Sequence, residues 1–204
     1  MSVAGKSTIS ERYWDQLVEG TRPLASTIVE NRKNIRFMFR TFLGAIKGDT
    51  KGNTKVVFGT HHDSILNHIP KDAKDLSIVN IDHHHDLGYT PWQDEQARSY
   101  DICNESNWVP TLSDRISDYT WVRNPTSTPL PPTIKTEHHF RVTEVIDNTE
   151  INVDHVTWDL VYVCLSPNYT YDTHWVYFYL MLDLYENLSG IPVSIDTTRY
   201  SEHF

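Results

Sequence analysis

The run Asp159-Leu-Val-Tyr-Val-Cys-Leu165 constrains the fold most, because it is apolar on successive residues rather than on alternate ones. A strand that hides both faces belongs in a sheet covered on both sides, which is the parallel sheet of an α/β protein. Lys55-Val-Val-Phe-Gly59, Leu76-Ser-Ile-Val-Asn-Ile81 and Tyr119-Thr-Trp-Val122 read as further short strands, and His139 to Val145 alternates as a strand does. Helical spacing lies between and around them. Tyr13, Trp14, Leu17 and Val18 fall at that spacing. From Ile28 to Ile46, the residues Ile35, Phe39, Phe42, Leu43 and Ile46 share a face, with Arg32, Lys33, Arg36 and Arg40 interleaved. Asp63 to Ile69 is a short helix ended by Pro70, Gln93 to Ile102 a weak one, and Trp175 to Leu188 an apolar one. Strands alternating with helices predict a layered α/β fold with a mainly parallel sheet. At 204 residues the expectation is a single α/β domain over 1–204. Residues 1–47 form its helical N-terminal segment, and 124–133, with Pro125, Pro129, Pro131 and Pro132, a proline-rich surface loop.

Composition removes several function classes. The chain carries 18 basic and 27 acidic residues, a formal charge of -9, so broad nucleic-acid binding is not expected. No apolar run approaches the ~18 residues of a spanning helix, and no membrane partner is expected. Met1 to Ser10 has no apolar core of the kind a secretory signal needs. Two cysteines, Cys103 and Cys164, cannot build a disulfide framework, so the expected compartment is the reducing cytoplasm.

Eleven histidines are the compositional oddity, and they cluster as His61-His62, His83-His84-His85 and His138-His139. The strand 76–81 runs straight into Asp82-His83-His84-His85-Asp86. If the chain stays extended, Asp82, His84 and Asp86 share one face and offer carboxylate, imidazole and carboxylate to a divalent cation. Sites of open α/β sheets lie beyond the carboxyl ends of strands, which is where this row sits. The strand 55–59 ends similarly, in Gly59-Thr60-His61-His62-Asp63-Ser64. Were the two strands parallel neighbours, His61 or His62 would complete the site. His62 is preferred, being nearer the helix-opening Asp63-Ser64.

Asp-x-His-x-Asp at one strand end, with Gly-x-His-His-Asp-Ser at another, resembles the arginase and ureohydrolase superfamily, whose relatives include metal-dependent deacetylases. The closest likeness is to a small arginase-like family that includes peptide arginases. It is carried by Asn80-Ile-Asp-His-His-His-Asp-Leu87, Ser106-Asn-Trp-Val109, Tyr119-Thr-Trp-Val122 and Asp159 to Pro167, and spans roughly residues 55 to 180. The resemblance implies a three-layer α/β/α fold. It implies one or two divalent ions, Mn²⁺ before Zn²⁺ or Fe²⁺, held by His62, Asp82, His84 and Asp86. It also implies hydrolysis of a C–N bond in a guanidinium or amide group of a small molecule or peptide, through metal-activated water. His85 and His174 are the candidates for proton transfer. Relatives often form oligomers, so a homo-oligomer is a further expectation. One departure stands out. The family's later Asp-x-Asp pair is missing, and the matching strand ends in Ser166-Pro167-Asn168. Asp172 and His174, or Asp154 and His155, are the candidate substitutes. The chain is also short for a full arginase.

Rival readings are weaker. Ile81-Asp-His-His84 is also similar to the signature of the DHH phosphoesterases, Mn²⁺ enzymes that need a second aspartate which His61-His62-Asp63 lacks. A non-catalytic, metal-stabilised binding protein is the third possibility. Gly5-Lys6-Ser7-Thr8 lacks the glycine and strand of a phosphate loop. Trp108 is a candidate to wall a pocket, Asn107 to donate to a bound substrate or metal ligand, and Trp92 to line an entrance. Cys164 and Cys103 read as core residues rather than nucleophiles.

Overall fold

A computed structural model of the protein describes residues 36–46, 53–88, 103, 106–123, 127–146, 156–167 and 172–200, the side chains of 135–137 and 172–174 excepted. These residues are α/β, and every strand pairing among them is parallel. Two compact units divide them, one within 1–60 and 151–196, the other within 61–150 and 197–204.

In the first unit, β1 (Lys55–Gly59) lies between β5 (Leu160–Cys164) and β6 (Ile195–Asp196). Phe58 of β1 is fully buried and meets Phe42 and Phe178 edge-on, at 5.9 and 5.5 Å. Phe42 comes from a helix over 36–46, whose Phe39 and Ile46 join the same core while Arg36 and Arg40 are exposed. Phe178 comes from the helix Asp172–Ser189, with Met181 and Leu182 on its buried side. The amphipathic reading of 28–46 therefore holds for its described turns, 36–46. The rest of the segment 1–47 and the helix over 93–102 lie outside the described residues. Within the run 159–165, Leu160–Cys164 forms a strand, half-buried along its length, at the edge of its three-stranded sheet.

The second unit is built on the order β2–β3–β4. Its strands are β2 (Leu76–Asp82), β3 (Ile116–Arg123) and β4 (Arg141–Val145). The central strand supplies the core: Tyr119, Trp121 and Val122 are all at most 3% exposed. Asp82 pairs with Arg123 at the carboxyl end of the sheet. Arg123 is buried and pairs with Glu144 at 2.6 Å, so charge is neutralised where β3 leaves the sheet. The proline-rich stretch is less of a surface loop than its composition suggests. Ser127 and Leu130 are buried, and Pro132 opens a short helix, Pro132–Glu137, whose Ile134 enters the core. Proline suits that first helical position, where no N–H is needed.

The strand predictions hold. β1 and β2 belong to different three-stranded sheets, and among the described residues no ladder joins them. Apolar runs announce strands without saying which strands pair. No described helix is long and apolar enough to cross a membrane.

Gly59 closes β1 under a tyrosine. A Cβ built there would lie 1.9 Å from the Tyr162 hydroxyl and 2.6 Å from its ring carbon. Gly59→Ala is expected to cost about 1–3 kcal/mol, the range for overpacking, read as a lowered urea midpoint. In Tyr162→Ala, where the clash is absent, the same substitution is expected to cost less.

Candidate metal centre

His62, Asp82 and Asp86 each point one ligand atom into a common space, and these atoms lie within 4.8 Å of one another. The Nδ1 of His62 is 3.4 Å from Asp82 Oδ2 and 3.3 Å from Asp86 Oδ2. One imidazole and two carboxylates can hold a divalent cation. All three residues fall in the second unit.

Each is placed by local structure. His62 precedes the 3₁₀ turn Asp63–Asn67, and its carbonyl accepts the Ile65 N–H at 3.2 Å. Asp82 is the last residue of β2. Its Oδ1 accepts the His83 N–H at 2.6 Å, and its carbonyl accepts the Trp121 indole N–H at 3.0 Å. Oδ2 of Asp82 is shielded from solvent and finds no hydrogen-bond donor among the described residues. Burial raises the Asp82 pKa first of all, and the negative charge of Asp86 adds to it, against the opposing pull of His62. A shielded carboxylate oxygen that lacks a donor is where a cation fits.

Asp86 is held more tightly. It is 2% exposed, and its Oδ2 accepts the Trp108 indole N–H at 2.9 Å and the Asn80 amide at 3.1 Å. Its backbone is left-handed, with φ 53°, a conformation aspartate tolerates better than most residues. Val109 N–H donates to its carbonyl at 3.3 Å. Asn80 also donates to the Tyr119 hydroxyl at 3.0 Å, and that hydroxyl donates to the His85 carbonyl at 2.6 Å. Partners that orient a ligand in this way tune metal sites almost as strongly as the ligands do.

The alternation argument reaches Asp82 and Asp86 by a route the chain does not take. The strand ends at Asp82 and residues 83–86 turn, so the two carboxylates converge through a bend and a left-handed aspartate. His84 is not in the three-residue group. Its ring meets the edge of His83 at 4.9 Å, and its charge still acts on Asp82. His83 shares a hydrogen bond with Ser127, 2.8 Å from Nδ1 to Oγ.

His85, expected to transfer protons, is buried against Trp121, with ring centroids 5.6 Å apart. Its Nδ1 accepts the Leu87 N–H at 3.1 Å, so in the neutral ring the proton sits on Nε2. Burial lowers its pKa to about 4. His174 lies in the helix Asp172–Ser189, its side chain outside the described residues, as are Asp154, His155 and Trp92. The Trp108 indole donates to Asp86. His138 stacks on Phe140 at 4.8 Å. Asn80, Tyr119 and Trp121 went unnoticed as supports of the site. Their polar atoms act across the sheet, from positions that read as core in the sequence.

Comparison of the chain with protein families, with curated proteins and with solved structures finds no match in any of the three.

Tyr119→Phe removes the donor to the buried His85 carbonyl and an acceptor of Asn80. It is expected to cost about 1–3 kcal/mol, measured by urea denaturation. Cys103 is buried, and burial raises its thiol pKa. In a Cys164→Ser background, iodoacetamide is therefore expected to leave folded protein unmodified at pH 8 and to label it fully in urea, read by intact mass.

Proposed function

We propose that the protein is a metal-dependent hydrolase of the ureohydrolase kind, cleaving a C–N bond in a guanidinium or amide group. In this reading His62, Asp82 and Asp86 bind Mn²⁺, in an arginase-like three-layer α/β/α fold. The observation that carries it is the convergence of these three side chains around the donorless Oδ2 of Asp82. It supports the metal directly. The Asp-x-His-x-Asp resemblance is what directs the chemistry towards ureohydrolysis.

The donor set fits such an ion. Two carboxylates and one imidazole suit Mn²⁺, Fe²⁺ or Zn²⁺, and lack the oxygen-only shell that Ca²⁺ prefers. When bound, the metal supplies a water acidic enough to yield hydroxide near neutral pH. The chain's own residues do the rest. Trp108 and Asn80 fix the Asp86 carboxylate, and Trp121 fixes the backbone of Asp82. His85, with Nδ1 engaged by Leu87, braces the turn that carries Asp86. The paired carboxylates give the site a negative field that draws a cationic guanidinium towards it.

Elemental mass spectrometry after loading with Mn²⁺ is expected to find about one or two ions per chain. His62→Ala, Asp82→Asn and Asp86→Asn are each expected to abolish that stoichiometry, with the fold retained by circular dichroism. Loaded protein is expected to release urea from a panel of guanidino compounds and arginine peptides. Hydrolysis of a phosphodiester instead would replace this reading with a phosphoesterase. Tight metal without any turnover would leave a binding protein, and no metal in the wild type would overturn the site.

A further inference from the structure

Asp63 and Ser64 are the most deeply buried polar residues described, at 1% and 0% exposure, and they directly follow His62. Both reach the same short stretch near the other end of the chain. The Ser64 hydroxyl donates to the Thr198 carbonyl. Oδ2 of Asp63 accepts the Tyr200 N–H at 3.2 Å. In extended chain the C=O of one residue and the N–H two residues on point to the same side. The two side chains thus grip one edge of the segment 197–200. Asn67, at the far end of the 3₁₀ turn, adds a bond from its amide to the Thr198 hydroxyl at 3.3 Å. Tyr200 packs against the core under β2–β4. All of these residues fall in the unit that carries the metal centre.

This is an expensive way to hold a surface segment. Thr197, Thr198 and Arg199 are exposed, while Asp63 and Ser64, which reach the segment, lie in the interior. A buried carboxylate costs free energy unless it is well bonded, and Oδ1 of Asp63 finds no hydrogen-bond partner among the described residues. The cost falls at the residue next to a proposed metal ligand. Fixing Asp63 and Ser64 fixes the backbone of the turn, and with it the direction in which His62 leaves the chain.

We infer that the segment 197–200 is a strap, and that Asp63 is a positioning residue which, by seating that strap, holds His62 in the geometry where it meets Asp82 and Asp86. The inference rests on the proposed metal site for its consequence, but the strap can be read without metal.

The experiment uses the full chain and has two readouts. One is the affinity for Mn²⁺ alone, by titration calorimetry. The other is amide hydrogen exchange of the metal-free protein over peptides covering 61–68 and 197–204. Asp63→Ala is expected to weaken Mn²⁺ binding about tenfold, the scale of a lost supporting contact, and to speed exchange over 61–68. Asp63→Asn keeps an acceptor for the Tyr200 N–H and is expected to restore both. Tyr200→Pro deletes that N–H and should match Asp63→Ala, whereas Tyr200→Ala, which keeps it, should not. Combining Asp63→Ala with Tyr200→Pro should add no further loss, because both break one contact. If Asp63→Ala fails to fold, Ser64→Ala, which loses only the bond to Thr198, reads the same strap.

Unchanged affinity and unchanged exchange over 61–68 in folded Asp63→Ala would overturn the strap. Additive losses in the double variant would also overturn it, since Asp63 would then act on the site without the segment. A wild type that binds no Mn²⁺, yet shows the exchange pattern and its rescue, would refute the metal while upholding the strap.

Discussion

A carboxylate almost out of contact with water must be given donors, and Asp86 receives two from opposite directions. Trp108 comes from the chain before β3, and Asn80 from within β2. The same aspartate takes Val109 N–H on its carbonyl. One residue therefore ties the end of β2 to the segment that leads into β3. The Asn80–Tyr119–His85 chain of hydrogen bonds closes the ring from the central strand. Burial pushes the Tyr119 pKa well above its ordinary value, so the phenol stays a donor throughout the neutral range. Every group in this network either orients Asp86 or orients the turn that carries it. The left-handed backbone of Asp86 is held by that network.

Electrostatics also bears on the position of His62. Two carboxylate oxygens held near each other, that of Asp82 without a donor among the described residues, call for positive charge between them. His62, when protonated, would supply it, its Nδ1 lying 3.3–3.4 Å from each. A divalent cation would supply more of it, and would take the imidazole as a neutral ligand. Proton and metal thus compete for one place, and metal binding here must release a proton wherever His62 is protonated beforehand. This competition links the fold to the proposed chemistry.

How much of this was legible in the sequence depended on the range of the interaction. Strand identity was legible, because Val56-Val57-Phe58 and Val161-Tyr162-Val163 are local signals. So was the Asp82–Asp86 pair, because four residues separate them and both lie beyond a recognisable strand. A period of two continued past the end of the sheet adds His84 to that pair. The chain bends where the ladder stops, and periodicity carries no information about a bend. His62 was chosen over His61 from its closeness to the helix start, and the structure places its ring beside both aspartates. Sheet partition was not legible. Parallel strands are joined by long connections, and nothing local records which strand lies beside which. Asn80, Tyr119 and Trp121 looked like core, and they are core. Only the far ends of their side chains reach the site, and no sequence spacing reports on that.

Stability and function diverge at two atoms. Asp63 Oδ1 and Asp82 Oδ2 are both shielded and both lack a hydrogen-bond donor among the described residues. Orphaned acceptors of this kind cost about 1–3 kcal/mol each, and a chain under selection for stability alone would replace them. They flank His62 on either side, one next to it in sequence and one opposite it in space. The unit has therefore gathered its unfavourable electrostatics around a single imidazole, while Arg123 and Glu144, at the ends of the adjacent strands, neutralise each other. Three ligand-type side chains near the carboxyl end of β2, one of them with a shielded oxygen that lacks a donor, could hold a cation. The unit's stability is expected to rise when they do so, because the ion binds the folded chain and not the separated ligands of the unfolded one.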